Sequence, residues 1–270
     1  MLQFRFAAES DTGRVRDNNE DAGFAGPYLL CVADGVGGAA AGEVASATTS
    51  YVVSARALAN PGYDPLRLLA AAAEEAHDQL VLGVGTDPRR LGMATTLTAI
   101  LTDGVRTALA HIGDSRAYLL RDGGFTQLSH DHTMVQAMVD AGRITPAEAA
   151  ASPHRNVVLQ AIDATSTPTP DLLWLDLRPG DRLLLCSDGV SDVLHEAALA
   201  MILTVPSPRL AATNLIQAAL DGGSRDNVTA IVADVVDGPP IVGTGAVLGA
   251  MVDMRANVVD PTAVRHLRSA

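Results

Sequence analysis

The chain has 270 residues, a length that suits one large domain with a sizeable core. Apolar residues make up 48% of it and aromatics only 3%, which excludes intrinsic disorder and calls for a core of Ala, Val, Leu and Ile. The formal net charge of −12, with arginine the sole strong base, speaks against nucleic acid as a partner and suits carboxylates that await cations.

The N-terminus, MLQFRFAAES, lacks a signal-peptide pattern. Residues 28–33 form a short apolar run closing on Asp34-Gly35, which reads as a buried strand. Ala-rich helical spacing follows over 42–59 and 66–82, with Asp64-Pro65 as cap and first turn of the second helix. The texture then changes to β-branched runs. Residues 95–101 and 105–112 flank Thr102-Asp103-Gly104, and 116–120 and 125–128 flank Asp122-Gly123-Gly124, a pattern that predicts an antiparallel meander. Asp103 and Asp122 read as turn residues.

Residues 131–151 look helical, broken at Gly142 and restarted by the capping pattern Thr145-Pro146-Ala147-Glu148. Residues 172–177 and 182–186 read as a further hairpin around Arg178-Pro179-Gly180-Asp181. Helices near 195–203 and 208–220 precede a last strand at 228–235. From Pro239 the pattern decays. The expected division is therefore a domain over 1–238 and a tail or linker over 239–270. The longest apolar window, 241–252, holds three glycines and falls short of the roughly 18–20 residues of a spanning helix. Cys31 and Cys186 each lie inside an apolar run, as buried thiols of a reducing compartment do. Together these features predict an α+β layered fold in a cytoplasmic protein.

Two strongly apolar segments end alike, LLCVADGVGG at 29–38 and LLLCSDGVSD at 183–192. A strand end is a rigid platform, and glycine after the aspartate lets the backbone approach a ligand closely. Acidic residues recur in similar settings: the cluster Arg16-Asp17-Asn18-Asn19-Glu20-Asp21 before the first strand, Asp114 in HIGDSR, Asp192 four after Asp188, and Asp226 before the last strand. Carboxylates gathered without His or Cys suit Mg²⁺ or Mn²⁺, not zinc. A lone Asp-Gly is most often only a turn; the argument rests on the set.

In order, the chain carries RVRDNNEDA, VADGVGGAAAGEVAS, GMATTLTAIL, HIGDSRAYLLRDG, LSHDHTMVQAMVDAGRITPAEA, LLLCSDGVSD and GGSRDNVTAIVADV. In these stretches, from about Arg14 to Asp234, it resembles the metal-dependent serine/threonine protein phosphatases of type 2C in their bacterial form. The resemblance implies a four-layer α-β-β-α sandwich of two mainly antiparallel sheets, with a metal centre at one end. It implies that Asp34 bridges two Mn²⁺ or Mg²⁺ ions, that the Gly35 carbonyl, Asp188 and Asp226 complete the pair, and that Asp21 acts through water. Asp114 matches the holder of a third, weaker ion, with Asp192 the lesser candidate there and Glu20 in a supporting position.

The implied reaction is hydrolysis of phosphoserine and phosphothreonine by direct attack of a metal-bridging water or hydroxide. Arg16 is the candidate for gripping the phosphate, since its planar fork binds two oxygens at once. Val36 and Ala39 stand where relatives often carry histidine, so the proton donor to the leaving group stays open between water, His132 and His154. The expected partners are phosphorylated proteins, serine/threonine kinases and their substrates among them, met by a monomer with no nucleic acid and no membrane insertion. The alternative is a catalytically weak or inactive member acting as a binding or scaffolding module.

Overall fold

The computed structural model describes residues 1–36, 41–241, 243 and 245–262. Its strands are β1 (Leu2–Asp11), β2 (Asp21–Ala25), β3 (Leu29–Val36), β4 (Ala94–Thr95), β5 (Leu97–Thr102), β6 (Thr107–Ile112), β7 (Arg116–Arg121), β8 (Gly124–Gln127), β9 (Ile162–Asp163), β10 (Asp171–Leu175), β11 (Arg182–Cys186), β12 (Val228–Asp237) and β13 (Ala246–Gly249). One antiparallel sheet runs β1-β12-β11-β7-β8. The other runs β10-β6-β5-β3-β2-β13, and β4 and β9 extend the end of β3.

The apolar runs are continuous because these strands are buried on both faces. Along β3, Leu29 and Cys31 face the helices α1 (Gly42–Ala59) and α2 (Pro65–Thr86), whereas Leu30 and Val32 enter the layer between the sheets. In β11, Leu183 and Leu185 share that inter-sheet layer. Leu184 and Cys186 face outward, towards the helices that follow. The chain continues through α3 (Met134–Asp140), α4 (Pro146–Ala150) and α5 (Asp188–Ser191) to α6 (Glu196–Leu203) and α7 (Pro208–Asp221), the pair that covers the five-stranded sheet. The expected four-layer α+β sandwich is what forms. Both cysteines are buried and free.

Local signals placed two helix starts. Asp64 accepts from the Arg67 N–H, and Thr145 with Glu148 forms a reciprocal capping box. Three expectations need correction. The meander is two separate hairpins: β5–β6 lies in one sheet and β7–β8 in the other, because the chain crosses the sandwich at Gly113-Asp114-Ser115. Likewise β10 and β11 do not pair; β10 flanks β6, while β11 lies between β12 and β7. The turn at 178–181 therefore also links the two sheets.

The stretch 239–270 is not wholly a tail. Its residues Ala246–Gly249 pair with β2, and a 3₁₀ turn (Ala250–Asp253) and α8 (Met254–Asn257) follow. The 10-residue strand β1, aligned with β12 from Leu2↔Asp237 to Asp11↔Val228, went unread because its sequence is mostly half-buried and shows little alternation. No helix among the described residues is long and apolar enough to cross a membrane.

Candidate metal centre

Register brings the acidic residues to one end. Asp21 opens β2 directly opposite Asp34 near the end of β3. In the other sheet Cys186 is level with Ala230 and Arg116, so Asp188, Asp226 and Asp114 all lie just beyond the same row. A cleft of about 180 Å³ is lined by Arg16, Glu20, Asp34, Gly35, Val36, Asp114, Asn156, Val158, Asp188 and Asp226. Asp21 is buried behind it. Asp192 lines the neighbouring hollow, where Asn156 Nδ2 donates to it at 2.9 Å and Arg155 stands 3.4 Å away.

The backbone at Asp34 is pinned from both sides. Its N–H donates to Thr96 Oγ1 at 2.9 Å, and its carbonyl accepts from Thr95 Oγ1 and the Thr96 N–H, each at 2.9 Å. The glycines after the two aspartates serve close approach. A Cβ on Gly35 would sit 2.6 Å from the Gly42 carbonyl carbon, and one on Gly189 would fall on the Asn227 carbonyl oxygen. Asn227 ties the acidic N-terminal segment down: its Oδ1 accepts from the Glu20 N–H at 2.7 Å, and its Nδ2 donates to the Thr12 and Asn18 carbonyls. Thr96, Asn156 and Asn227 were not singled out from sequence, although Thr96 lies in GMATTLTAIL and Asn227 directly follows Asp226.

Crowded carboxylates hold their protons. Burial first, then Asp21, Asp188, Asp114 and Asp226, keeps the Asp34 carboxyl well above the usual carboxylate range. Burial also raises Asp188, helped by Asp114, Asp192, Asp226 and Asp21. Asp114 is pushed up to about 7 by burial and by Asp131 and Asp192. Asp21 is pushed up to about 6 by burial, against hydrogen bonds from Thr229 and Ser187 that favour its charged form. Arg16 Nη2 donates to Asp226 Oδ2 at 2.8 Å, placing a fixed cation among these acids.

Among the described residues no three His, Cys, Asp or Glu side chains close into a compact cage. The carboxylates stand around the cleft walls instead, as like charges do. The donor chemistry still fits hard divalent ions: every candidate ligand is an oxygen, and Asp21 Oδ1 is buried without a hydrogen-bond partner. Of the two histidines considered as proton donors, neither lines the cleft. His132 is buried against Gly113 and Asp171, and His154 is exposed. Val36 lines the cleft, and Ala39 lies outside the described residues.

The family model described as Protein phosphatase 2C matches residues 14–222. The serine/threonine protein phosphatase PstP of Mycobacterium tuberculosis is 48% identical over 236 residues; the match covers 87% of this chain but only 46% of that protein, so the chain spans about half its length. Protein phosphatase PhpP of Streptococcus pneumoniae is 34% identical over 228 residues, 82% of this chain and 93% of that protein. Among solved structures, the catalytic domain of PstP in complex with two manganese ions superposes with a TM-score of 0.82 at 47% identity, covering 88% of this chain and 100% of that one. With its ordered motifs, layered sheets and acidic cleft all in register, the chain belongs to the protein phosphatase 2C family of metal-dependent serine/threonine phosphatases.

Proposed function

We propose that this domain hydrolyses phosphoserine and phosphothreonine in proteins with Mn²⁺ or Mg²⁺, and that the cleft at the end of the sandwich is where it does so. The observation that carries the reading is the meeting of Asp34 from one sheet with Asp188 and Asp226 from the other, beside Arg16. Asp34, the Gly35 carbonyl, Asp188 and Asp226 are the residues that would hold two core ions. Asp21 would act through water, and Asp114 would take a weaker third ion with help from Asp192. When bound, such ions neutralise phosphoryl charge and lower the pKa of water held between them.

The chain's own groups do the rest. Thr95 and Thr96 fix the Asp34 backbone, and Ser187 Oγ donates to Asp21 Oδ2 at 2.7 Å, orienting that carboxylate. Arg16 lines the cleft with a planar fork suited to two phosphoryl oxygens. Phosphate-monoester hydrolysis is among the slowest uncatalysed reactions, so fixed charge and positioning must supply most of the acceleration. Phosphorylated kinases and their substrates are the proposed partners, met by a monomer in the cytoplasm.

The test is Asp34→Asn assayed on p-nitrophenyl phosphate with and without Mn²⁺. Turnover should fall about 100-fold or more, as it does when a preorganised charge-stabilising group is removed. The melting temperature should hold or rise, because one member of a mutually repelling set becomes neutral. Turnover near that of the parent in a folded variant would refute the assignment. A parent protein that binds Mn²⁺ without turning over would favour the binding-module reading.

A further inference from the structure

The segment from Pro239 onward makes more of the fold than its sequence suggested, and it lies beyond the residues matched by the family model, which ends at 222. It leaves β12 alongside the N-terminus, where Gln3 Nε2 donates to the Pro239 carbonyl and Gln3 Oε1 accepts from the Ile241 N–H, both at 2.9 Å. Ala246–Gly249 then adds a strand to the free edge of β2, in the register Ala246↔Ala25 to Gly249↔Ala22. Leu248 is 7% exposed and joins the layer between the sheets, over Gly23, where a Cβ would stand 3.2 Å from Leu248 Cδ1. Beyond the strand, Ala250, Met251 and Val258 close a small apolar cluster with Ala22 of β2 and Ala47 of α1.

The far end is fastened too. Thr48 Oγ1 on α1 donates to the Asn257 carbonyl at 3.3 Å and accepts from the Val259 N–H at 3.1 Å, and Tyr51 Oη donates to the Pro261 carbonyl at 2.5 Å. The segment therefore runs from β2 across α1. These are the strand that opens with Asp21 and the helix that begins at Gly42, against which Gly35 packs.

The segment meets the backbone of Asp21 at Gly249. That residue has φ +56, ψ −136, a conformation open to glycine, and a Cβ there would fall on the Asp21 carbonyl oxygen and stand 3.2 Å from Ser10 Oγ. Ser10 Oγ in turn bonds Thr229 Oγ1 at 2.8 Å and accepts from Asn19 Nδ2 at 2.9 Å.

We propose that residues 246–259 are an intramolecular strap that holds the Asp21 strand and the helix behind the Asp34–Gly35 turn in catalytic register, with Gly249 as its positioning residue. The inference rests on the metal-centre reading given above. Its physical basis is that β2 is an edge strand without β13 and that the segment spans from β2, which opens with Asp21, to α1, which backs the Asp34–Gly35 turn. Residues that orient metal ligands without touching the ion commonly change metal affinity when altered.

The test uses the full chain carrying Gly249→Val or, as the milder change, Thr48→Val, which keeps the shape of the buried side chain and removes both hydrogen bonds to the strap. Two quantities are read: amide hydrogen exchange over residues 21–25, and the Mn²⁺ concentration giving half-maximal p-nitrophenyl phosphate hydrolysis. The expected result for Gly249→Val is exchange faster by about 10-fold, reporting local opening, and a half-saturating Mn²⁺ concentration raised about 10-fold. Thr48→Val should move both in the same direction by less, and it carries the test alone if Gly249→Val fails to fold. Mn²⁺ curves that superimpose on the parent's would overturn the proposal, whatever the exchange shows. Failure of the metal-centre reading looks different: the parent itself would then show no response to Mn²⁺.

Discussion

Arg16 reaches from the N-terminal segment to Asp226, so one guanidinium both anchors a candidate ligand and lines the cleft proposed to take the phosphate. The two side chains retain 41% and 35% of their exposure, and an ion pair that open adds little stability. Its loss should therefore be felt in binding and not in folding. Charge-assisted hydrogen bonds contribute about 1.5–3 kcal/mol, so Arg16→Ala should raise KM for a phosphopeptide about 10- to 100-fold with kcat little changed. Arg16→Lys should recover only part of this, since a point charge replaces a fork. Steady-state kinetics decides it: an unaltered KM would remove Arg16 from phosphate binding.

The crossing between β6 and β7 shows how an element delivers a side chain. Gly113 has φ +108, and a Cβ there would lie 2.5 Å from Thr96 Cγ2. Thr96 Oγ1 accepts the Asp34 N–H and shares a 2.8 Å bond with Ser115 Oγ, so pressure on Thr96 reaches Asp34 as well as Asp114. Gly113→Ala should cost about 1–3 kcal/mol of stability through backbone strain and should also lower kcat. Urea unfolding and initial rates check both; an equally active variant would uncouple the crossing from the centre. This crossing also marks where sequence reading stops. Asp-Gly signals report that the chain reverses, which is local chemistry. They do not say which sheet each arm joins, because β6, β7, β10 and β11 all offer apolar residues. Asp34, Asp188 and Asp226 were legible as strand-end carboxylates, whereas Asn227 and Thr96 act through bonds to segments distant in sequence.

Protonation ties the centre to the stability of the fold. Asp21 at about 6 and Asp114 at about 7, with Asp34 and Asp188 also raised, all exceed the ordinary aspartate value of 3.8. The folded, cation-free chain thus keeps protons that the unfolded chain releases. Its stability from these groups is greatest below pH 3.8 and falls as pH rises through about 7. His111 works the other way: burial and His132 hold it down to about 4, so it adds stability as pH rises from there to 6.5. One histidine faces four carboxylates, and the decline should prevail. Thermal unfolding in EDTA should show a melting temperature that drops between about pH 5 and about pH 7, and Mn²⁺, taking the place of those protons, should abolish the drop. A flat EDTA profile would mean the carboxylates ionise freely.

Asp34 stands on one sheet while Asp188 and Asp226 stand on the other. Their separation is thus a gauge of how far one layer has slid over its neighbour. Ions held by these residues would tie the two layers together across the seam, and a shift of one layer over the other would change the spacing of the carboxylates.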